Sequence, residues 1–251
     1  IREFLIIIQS WLEILSTRIL SFNENLFVMK KYILYSLISI SIVLAGCELD
    51  NFDAPKAMLE GQVTYQGEPI SVRSNSAEFQ IWQDGYALNE LIPVFIAQDG
   101  TYSVSLFEGE YKLVRRGGDP WLPQLNDTIV VQVSGNTQVD VPVTPYINIS
   151  NENFQINGST LSANFQIDQI VADTNVQEIS IMLSRNILVD RNINDFNKVI
   201  ELESFEFGTS NSVAIEIPES LRDEGYLFVR IGAKSSMANE LIYTNAQKID
   251  L

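Results

Sequence analysis

One thiol, a surplus of carboxylates and three tryptophans are the side chains with which this 251-residue chain could do chemistry. There is no histidine. That removes the usual neutral-pH proton carrier and the commonest transition-metal ligand, so histidine-dependent triads and zinc sites are excluded. Carboxylate pairs could still cleave a glycosidic bond or hold calcium. With 32 acidic residues, however, close pairs are inevitable and single out no site, so no catalytic residue, metal site or cofactor is expected. The net charge of −16 repels phosphate backbones, and no basic cluster offsets it. Nucleic acid is therefore not an expected partner.

Cys47 is the only cysteine and cannot close an internal disulfide. Lys30 and Lys31 follow Met29, a 13-residue apolar run from Ile33 to Ala45 follows them, and Leu44-Ala45-Gly46-Cys47 closes it. This is the layout of a secretory signal peptide. Crossing the ~30 Å core of a bilayer takes about 20 apolar residues, so a membrane-spanning helix is the weaker reading. The end of the run resembles a bacterial lipobox, which implies cleavage before Cys47 and attachment of acyl chains, palmitate among them, to that residue. More than one chain, at about 0.8 kcal/mol per buried methylene, gives stable anchoring. Residues 1–28 are then expected to be an upstream over-extension, 29–46 the signal peptide and 47–57 an acidic tether. Removing the four basic and three acidic residues ahead of Cys47 leaves 12 basic and 29 acidic groups, a net charge of −17.

From Met58 onward the pattern has period two, the mark of half-buried strands. Leu59, Val63 and Tyr65 share one face; Phe79 and Ile81 point one way while Glu78, Gln80 and Trp82 point the other. Further strands are expected at 91–97, 101–107, 111–115, 128–133 and 137–143, separated by turns such as Asp99-Gly100 and Ser134-Gly135-Asn136. Pro142 and Pro145 limit pairing beyond that point, and the domain boundary is placed at Pro145/Tyr146. In the second half Leu161, Ala163, Phe165 and Ile167 alternate with Ser162, Asn164 and Gln166; 179–183, 213–217 and 227–233 follow the same rule. A helical turn is expected at 192–196, ahead of a strand at 199–203. The expected fold class is all-β, with two β-sandwich domains in tandem, 58–145 and 146–251, behind a lipoprotein signal peptide.

Four blocks occur in order: Cys47-Glu48-Leu49-Asp50-Asn51-Phe52-Asp53-Ala54-Pro55, Leu59-Glu60-Gly61-Gln62-Val63 with Gly67-Glu68-Pro69-Ile70, Asp99-Gly100-Thr101-Tyr102 to Leu106-Phe107-Glu108-Gly109-Glu110-Tyr111, and Val143-Thr144-Pro145-Tyr146. Together they resemble a family of two-domain Bacteroidetes outer-membrane lipoproteins of unknown function. The resemblance implies a first domain like the carboxypeptidase regulatory, or transthyretin-like, sandwich and a second that is immunoglobulin-like. The acidic stretch after Cys47 resembles the surface-export signal of such lipoproteins. The implied place is the outer membrane, lipid-anchored and facing outward. The implied role is glycan capture beside the transporter and lid lipoprotein of a polysaccharide-utilisation system. The alternative is a structural accessory subunit of that complex which binds no sugar itself. Both implications rest on analogy of fold and gene neighbourhood.

A glycan site on a sandwich needs flat aromatic faces for sugar C–H surfaces, with amides and carboxylates at the edge for hydroxyls. Trp82 is the first candidate, because alternation puts it on the polar face with Glu78 and Gln80. Tyr86 follows in the loop Gln83-Asp84-Gly85-Tyr86, and Trp121 lies in the Gly117–Pro123 loop, whose glycines and prolines favour a shaped turn. Packing beneath a loop is the competing role of both tryptophans. Tyr102 and Tyr111 fall in fold-defining blocks and are expected in the core.

Overall fold

The structure is a computed structural model that describes residue 11, residues 30–31, 34–36, 53–85 and 90–251, with Ser204 by its backbone only. It comprises two compact units, Ile1–Ala54 and Pro55–Leu251. In the first unit the described positions 11, 30–31 and 34–36 are helical. One helical turn separates Lys31 from Tyr35, which sets the ammonium 5.8 Å from the ring centre. No helix among the described residues is long and apolar enough to cross a membrane.

Two sandwiches make up the second unit. The N-terminal one contains β1 (Ala57–Tyr65), β2 (Glu68–Pro69), β3 (Glu78–Trp82), β4 (Ile92–Phe95), β5 (Thr101–Leu106), β6 (Gly109–Arg115), β7 (Gln124–Val133), β8 (Asn136–Gln138) and β9 (Val141–Pro142). Strand β1 is central to one sheet, antiparallel to β2 and β5 and parallel to β8 and β9; the other sheet has the order β4-β3-β6-β7. The C-terminal sandwich contains β10 (Ile147–Asn157), β11 (Thr160–Gln169), β12 (Val176–Ser184), β13 (Phe196–Val199), β14 (Ser210–Glu216), β15 (Tyr226–Ser235), β16 (Ile242–Tyr243) and β17 (Gln247–Asp250). Its sheets are β10-β11-β14 and β13-β12-β15-β16, with β17 also on β15. The chain is all-β with two sandwich domains.

Period two is the cause of this arrangement. In β1, Ala57, Leu59, Gly61 and Val63 are buried while the residues between them are not; β11 buries Leu161, Ala163, Phe165 and Ile167 in the same way. Each fully buried aliphatic or phenylalanine side chain contributes about 1.5–3 kcal/mol. Gly61 allows a close approach that no other residue would, since a Cβ there would lie 1.8 Å from the Val139 carbonyl oxygen. The Tyr102 hydroxyl donates to that same oxygen at 2.5 Å.

Three local expectations need correction. The stretch expected to be a single strand over 137–143 is broken into β8 and β9, because the Asp140 carboxylate, not a ladder carbonyl, accepts the Gln62 N–H (3.0 Å). No helical turn forms at 192–196. Asp190 Oδ1 instead accepts the N–H groups of Asn192 and Ile193 (2.7 and 2.9 Å), a side-chain-closed turn that leads straight into β13. The strand expected at 199–203 is displaced as well: that turn starts β13 early, at Phe196–Val199, and a 3-10 turn, Leu202–Ser204, occupies the rest of the stretch.

Strands β12 and β15 depart from alternation in an informative way. Beyond their inward rows they also bury Ser180, Met182 and Ser184, and Arg230 and Gly232. Their second face is covered. Part of the cover is the segment 239–245, which meets the β2–β3 connection: Tyr243 N–H donates to Ser71 O (3.0 Å), Ser71 Oγ contacts Asn245 Oδ1 (2.5 Å), and Arg73 grips Glu240 with two nitrogens (2.8 and 3.3 Å). A Cβ on Gly232 would sit 2.9 Å from both Leu241 and Tyr243, so glycine is needed where these layers close.

Arg230 lies at the centre, with 0% of its surface exposed. Its guanidinium donates to Thr244 O (2.8 Å) and Val189 O (3.1 Å) of its own sandwich and to Val72 O (2.8 Å) and Gln98 O (2.9 Å) of the other. The Tyr243 ring stacks 4.3 Å away. Burial lowers the Arg230 pKa to about 10, so the group stays charged at neutral pH. Arg230→Ala should cost about 3–5 kcal/mol in urea-induced unfolding, because it strips hydrogen bonds from buried carbonyls and opens a cavity. Arg230→Lys should recover little, since one ammonium cannot reproduce the planar fork. Wild-type stability of the lysine variant would contradict this account.

Candidate functional site

Trp82 ends β3 on the outer face of the β4-β3-β6-β7 sheet, in a row with Glu78 and Gln80, and is half-buried. Directly across the ladder is Lys112 of β6, and beyond it Val130 of β7, 57% exposed. Lys112 Nζ reaches the Asp84 carboxylate at 2.5 Å. That hydrogen bond holds the Asp84 pKa below its ordinary value, and a hydrogen bond from Trp82 adds to the effect. At the other end of the row Arg116 pairs with Glu78. On the far side β4 sets Pro93 against Gln80 and Phe95, 50% exposed, against Glu78. The result is a flat, sheet-borne face of aromatic and aliphatic surface edged by amide and paired charges.

Beside it lies a groove of about 660 Å³ over β1, β5 and β8, lined by Glu60, Gln62, Asn75, Phe95, Ser103 and Gln138 among others. Sequence reading did not assemble it. Its members are scattered from residue 60 to 138, and the only signal was the polar row of β1, Glu60 and Gln62, which alternation left facing outward.

Trp121 is a correction. It is 0% exposed and packs with its ring 6.3 Å from that of Phe79, so neither indole face can meet a ligand. The Gly117–Pro123 loop folds inward because Leu122 N–H donates to Thr144 O (2.9 Å) and Tyr146 N–H to Pro120 O (3.1 Å), with Trp121 bridged to Pro145. The Val143-Thr144-Pro145-Tyr146 segment is what draws it in. Tyr102 and Tyr111 are core residues as expected, each 3% exposed. Glu108 accepts the Gly135 N–H (3.2 Å), which explains it as part of a turn. Tyr86 and Cys47 lie outside the described residues.

The two sandwiches define a two-domain all-β protein whose N-terminal half carries the aromatic face around Trp82. Its first sandwich, residues 57–144, matches the family "Protein of unknown function (DUF3823) N-terminal domain", and residues 147–248 match "Domain of unknown function (DUF3823_C)". The chain belongs to the DUF3823 family. A family member from Bacteroides ovatus is 44% identical, with a TM-score of 0.74 over 78% of this chain and all of its own. One from Parabacteroides merdae is 33% identical, with a TM-score of 0.72 over 79% of this chain and all of its own. A Bacteroides uniformis structure called a "putative carbohydrate binding protein" shares the fold at 18% identity, with a TM-score of 0.65 over 78% of this chain and all of its own. No curated protein matches the chain.

The inward-folded loop also buries Asp119, beside Trp121. Burial raises its pKa to about 7, with Glu78 and Glu240 adding to the rise and Arg116 opposing it, and its Oδ2 has no hydrogen-bond partner. A carboxyl whose pKa is higher folded than unfolded stabilises the fold most below its unfolded value and loses that as pH rises through the folded one. The Tm should therefore fall between about pH 4 and pH 7. Asp119→Asn should flatten that slope and be the more stable protein at pH 8. An unchanged slope in thermal unfolding would rule Asp119 out as its source.

Proposed function

We propose that this protein is a non-catalytic surface lipoprotein that captures glycan for an outer-membrane polysaccharide-utilisation system. The observation that carries the reading is Trp82: a half-exposed indole on a flat outer sheet face, with Gln80 beside it and the Lys112–Asp84 pair at its edge. An indole plane offers a stacking surface for the C–H face of a pyranose, and the polar groups around it match ring hydroxyls. A rigid strand holds the ring with little entropy left to lose on binding. The name of the fold-sharing Bacteroides uniformis protein agrees with this class of ligand.

In this reading the partners are polysaccharide, the outer membrane through acyl chains on Cys47, and the transporter with its lid lipoprotein. Trp82→Ala should reduce retardation in gels cast with neutral polysaccharides, raising the dissociation constant at least about ten-fold, the loss of one good stacking contact. Wild-type retardation of that variant would remove Trp82 from the site. For the anchor, Cys47→Ser should abolish metabolic labelling by an alkyne fatty acid and shift the protein from the membrane to the soluble fraction. Persistent labelling would place the lipid elsewhere.

A further inference from the structure

We propose that the groove over β1, β5 and β8 is a second sugar subsite, continuous with the Trp82 face, and that together they bind an extended neutral oligosaccharide. This rests on the glycan-capture reading and adds the length and charge class of the ligand. Phe95 joins the two areas. It lines the groove and also stands across the ladder from Glu78, on the same outer face as Trp82. Trp82 lies four positions along the strand from Glu78, so the two aromatic positions are about 13 Å apart along the face. A single pyranose ring cannot reach both.

The groove has the chemistry that hydroxyls require. Gln62, Asn75 and Gln138 each offer an amide donor beside an amide acceptor, Glu60 adds a carboxylate, and Ser103 a hydroxyl. Among the described residues no hydrogen bond or ion pair engages the side chains of Glu60, Gln62, Asn75 or Gln138. The amides are open to a ligand. Asn75 is held at the rim in the left-handed region (φ 59°), with its N–H donated to Ile96 O at 3.0 Å. An exposed ring half-surrounded by uncommitted amides is suited to a sugar, whose rings are apolar on their faces and polar at their edges.

Charge sets the class. No lysine or arginine lines the groove, where Glu60 is the one charged side chain. On the adjoining face Lys112 is paired with Asp84 and Arg116 with Glu78. Among the described residues no unpaired cation lines this track for a uronate or a sulfate, and the net charge of −16 repels both. Neutral hydroxyls, by contrast, can donate to Glu60.

Calorimetric titration of the purified protein with cellohexaose, xylohexaose, mannohexaose, maltohexaose and hexagalacturonate, and with the corresponding disaccharides, tests the proposal. At least one neutral hexasaccharide should bind, at least about ten-fold tighter than its disaccharide, and hexagalacturonate should not. The Gln62→Ala/Gln138→Ala double variant should remove that length advantage while leaving disaccharide binding unchanged, and Phe95→Ala, at the junction of the two areas, should remove it as well. These positions lie at the surface, and an unchanged Tm verifies the fold. Wild-type hexasaccharide affinity in both groove variants, with binding lost in Trp82→Ala, would eliminate the groove and leave glycan capture standing. Failure of the wild type to bind any neutral saccharide would overturn both. Preference for hexagalacturonate would overturn the neutral class.

Discussion

A fully buried guanidinium joins the two halves of this protein. Removing a cation from water costs several kcal/mol, and among the described residues no carboxylate forms a direct ion pair with Arg230, although the charges of Asp190 and Asp99 favour its charged form from a distance. What compensates is four carbonyl oxygens and one aromatic ring: Val72 and Gln98 from one sandwich, Thr244 and Val189 from the other, with Tyr243 stacked alongside. Hydrogen bonds to a charged group contribute about 1.5–3 kcal/mol each, so the set outweighs the desolvation. The carbonyls gain as much as the cation. They belong to connections outside the regular ladders, where regular strand pairing does not supply their donors, and only Gln98 O has a second donor, the Val72 N–H at 3.2 Å.

The rest of the interface follows from that contact. With Arg230 holding the β2–β3 connection and Gln98 against β15, Ser71 can pair with Tyr243, Arg73 with Glu240, and the Gln98 side chain with Ile187 O. Along another stretch of the interface, the loop carrying Trp121 and Asp119 folds between the sandwiches, and Asn239 N–H donates to Gly118 O at 3.0 Å. The buried apolar residues consequently form a cluster that runs through both domains. Two sandwiches linked at a proline junction could have moved independently; here residues 55–251 form a single compact unit.

Closing one side of the N-terminal sandwich leaves its other surfaces open. The β4-β3-β6-β7 face and the neighbouring groove are built on strands whose inner rows are locked into the core, Phe79 and Ile81 beneath Trp82 and Gln80, and Val94 beneath Phe95. A recognition surface on strands is preorganised in a way that a loop is not. Pairing each cation on the face with a carboxylate gives it polar edges without a net field, a sensible arrangement on so acidic a protein.

The sequence by itself determined the fold class and the inward rows of the strands. Period two in β1, β3, β11 and β15 reports which side chains turn inward, because a strand has only two faces and one of them must be apolar. It also placed Trp82 on an outward face, for the same reason. It misplaced Trp121, since glycines and prolines mark a turn without saying which way the turn folds; that depended on Thr144 and Tyr146, more than twenty residues away in the chain. Arg230 was equally illegible. On a strand whose other residues alternate normally it reads as a solvent-facing cation, and only the arrival of a second domain on that face makes it the centre of an interface. The groove is likewise tertiary, gathering residues from 60 to 138 through the pairing of β1 with β5 and β8. Alternation is a local property and survives in the sequence; contact between faces is not, and had to be decided by packing.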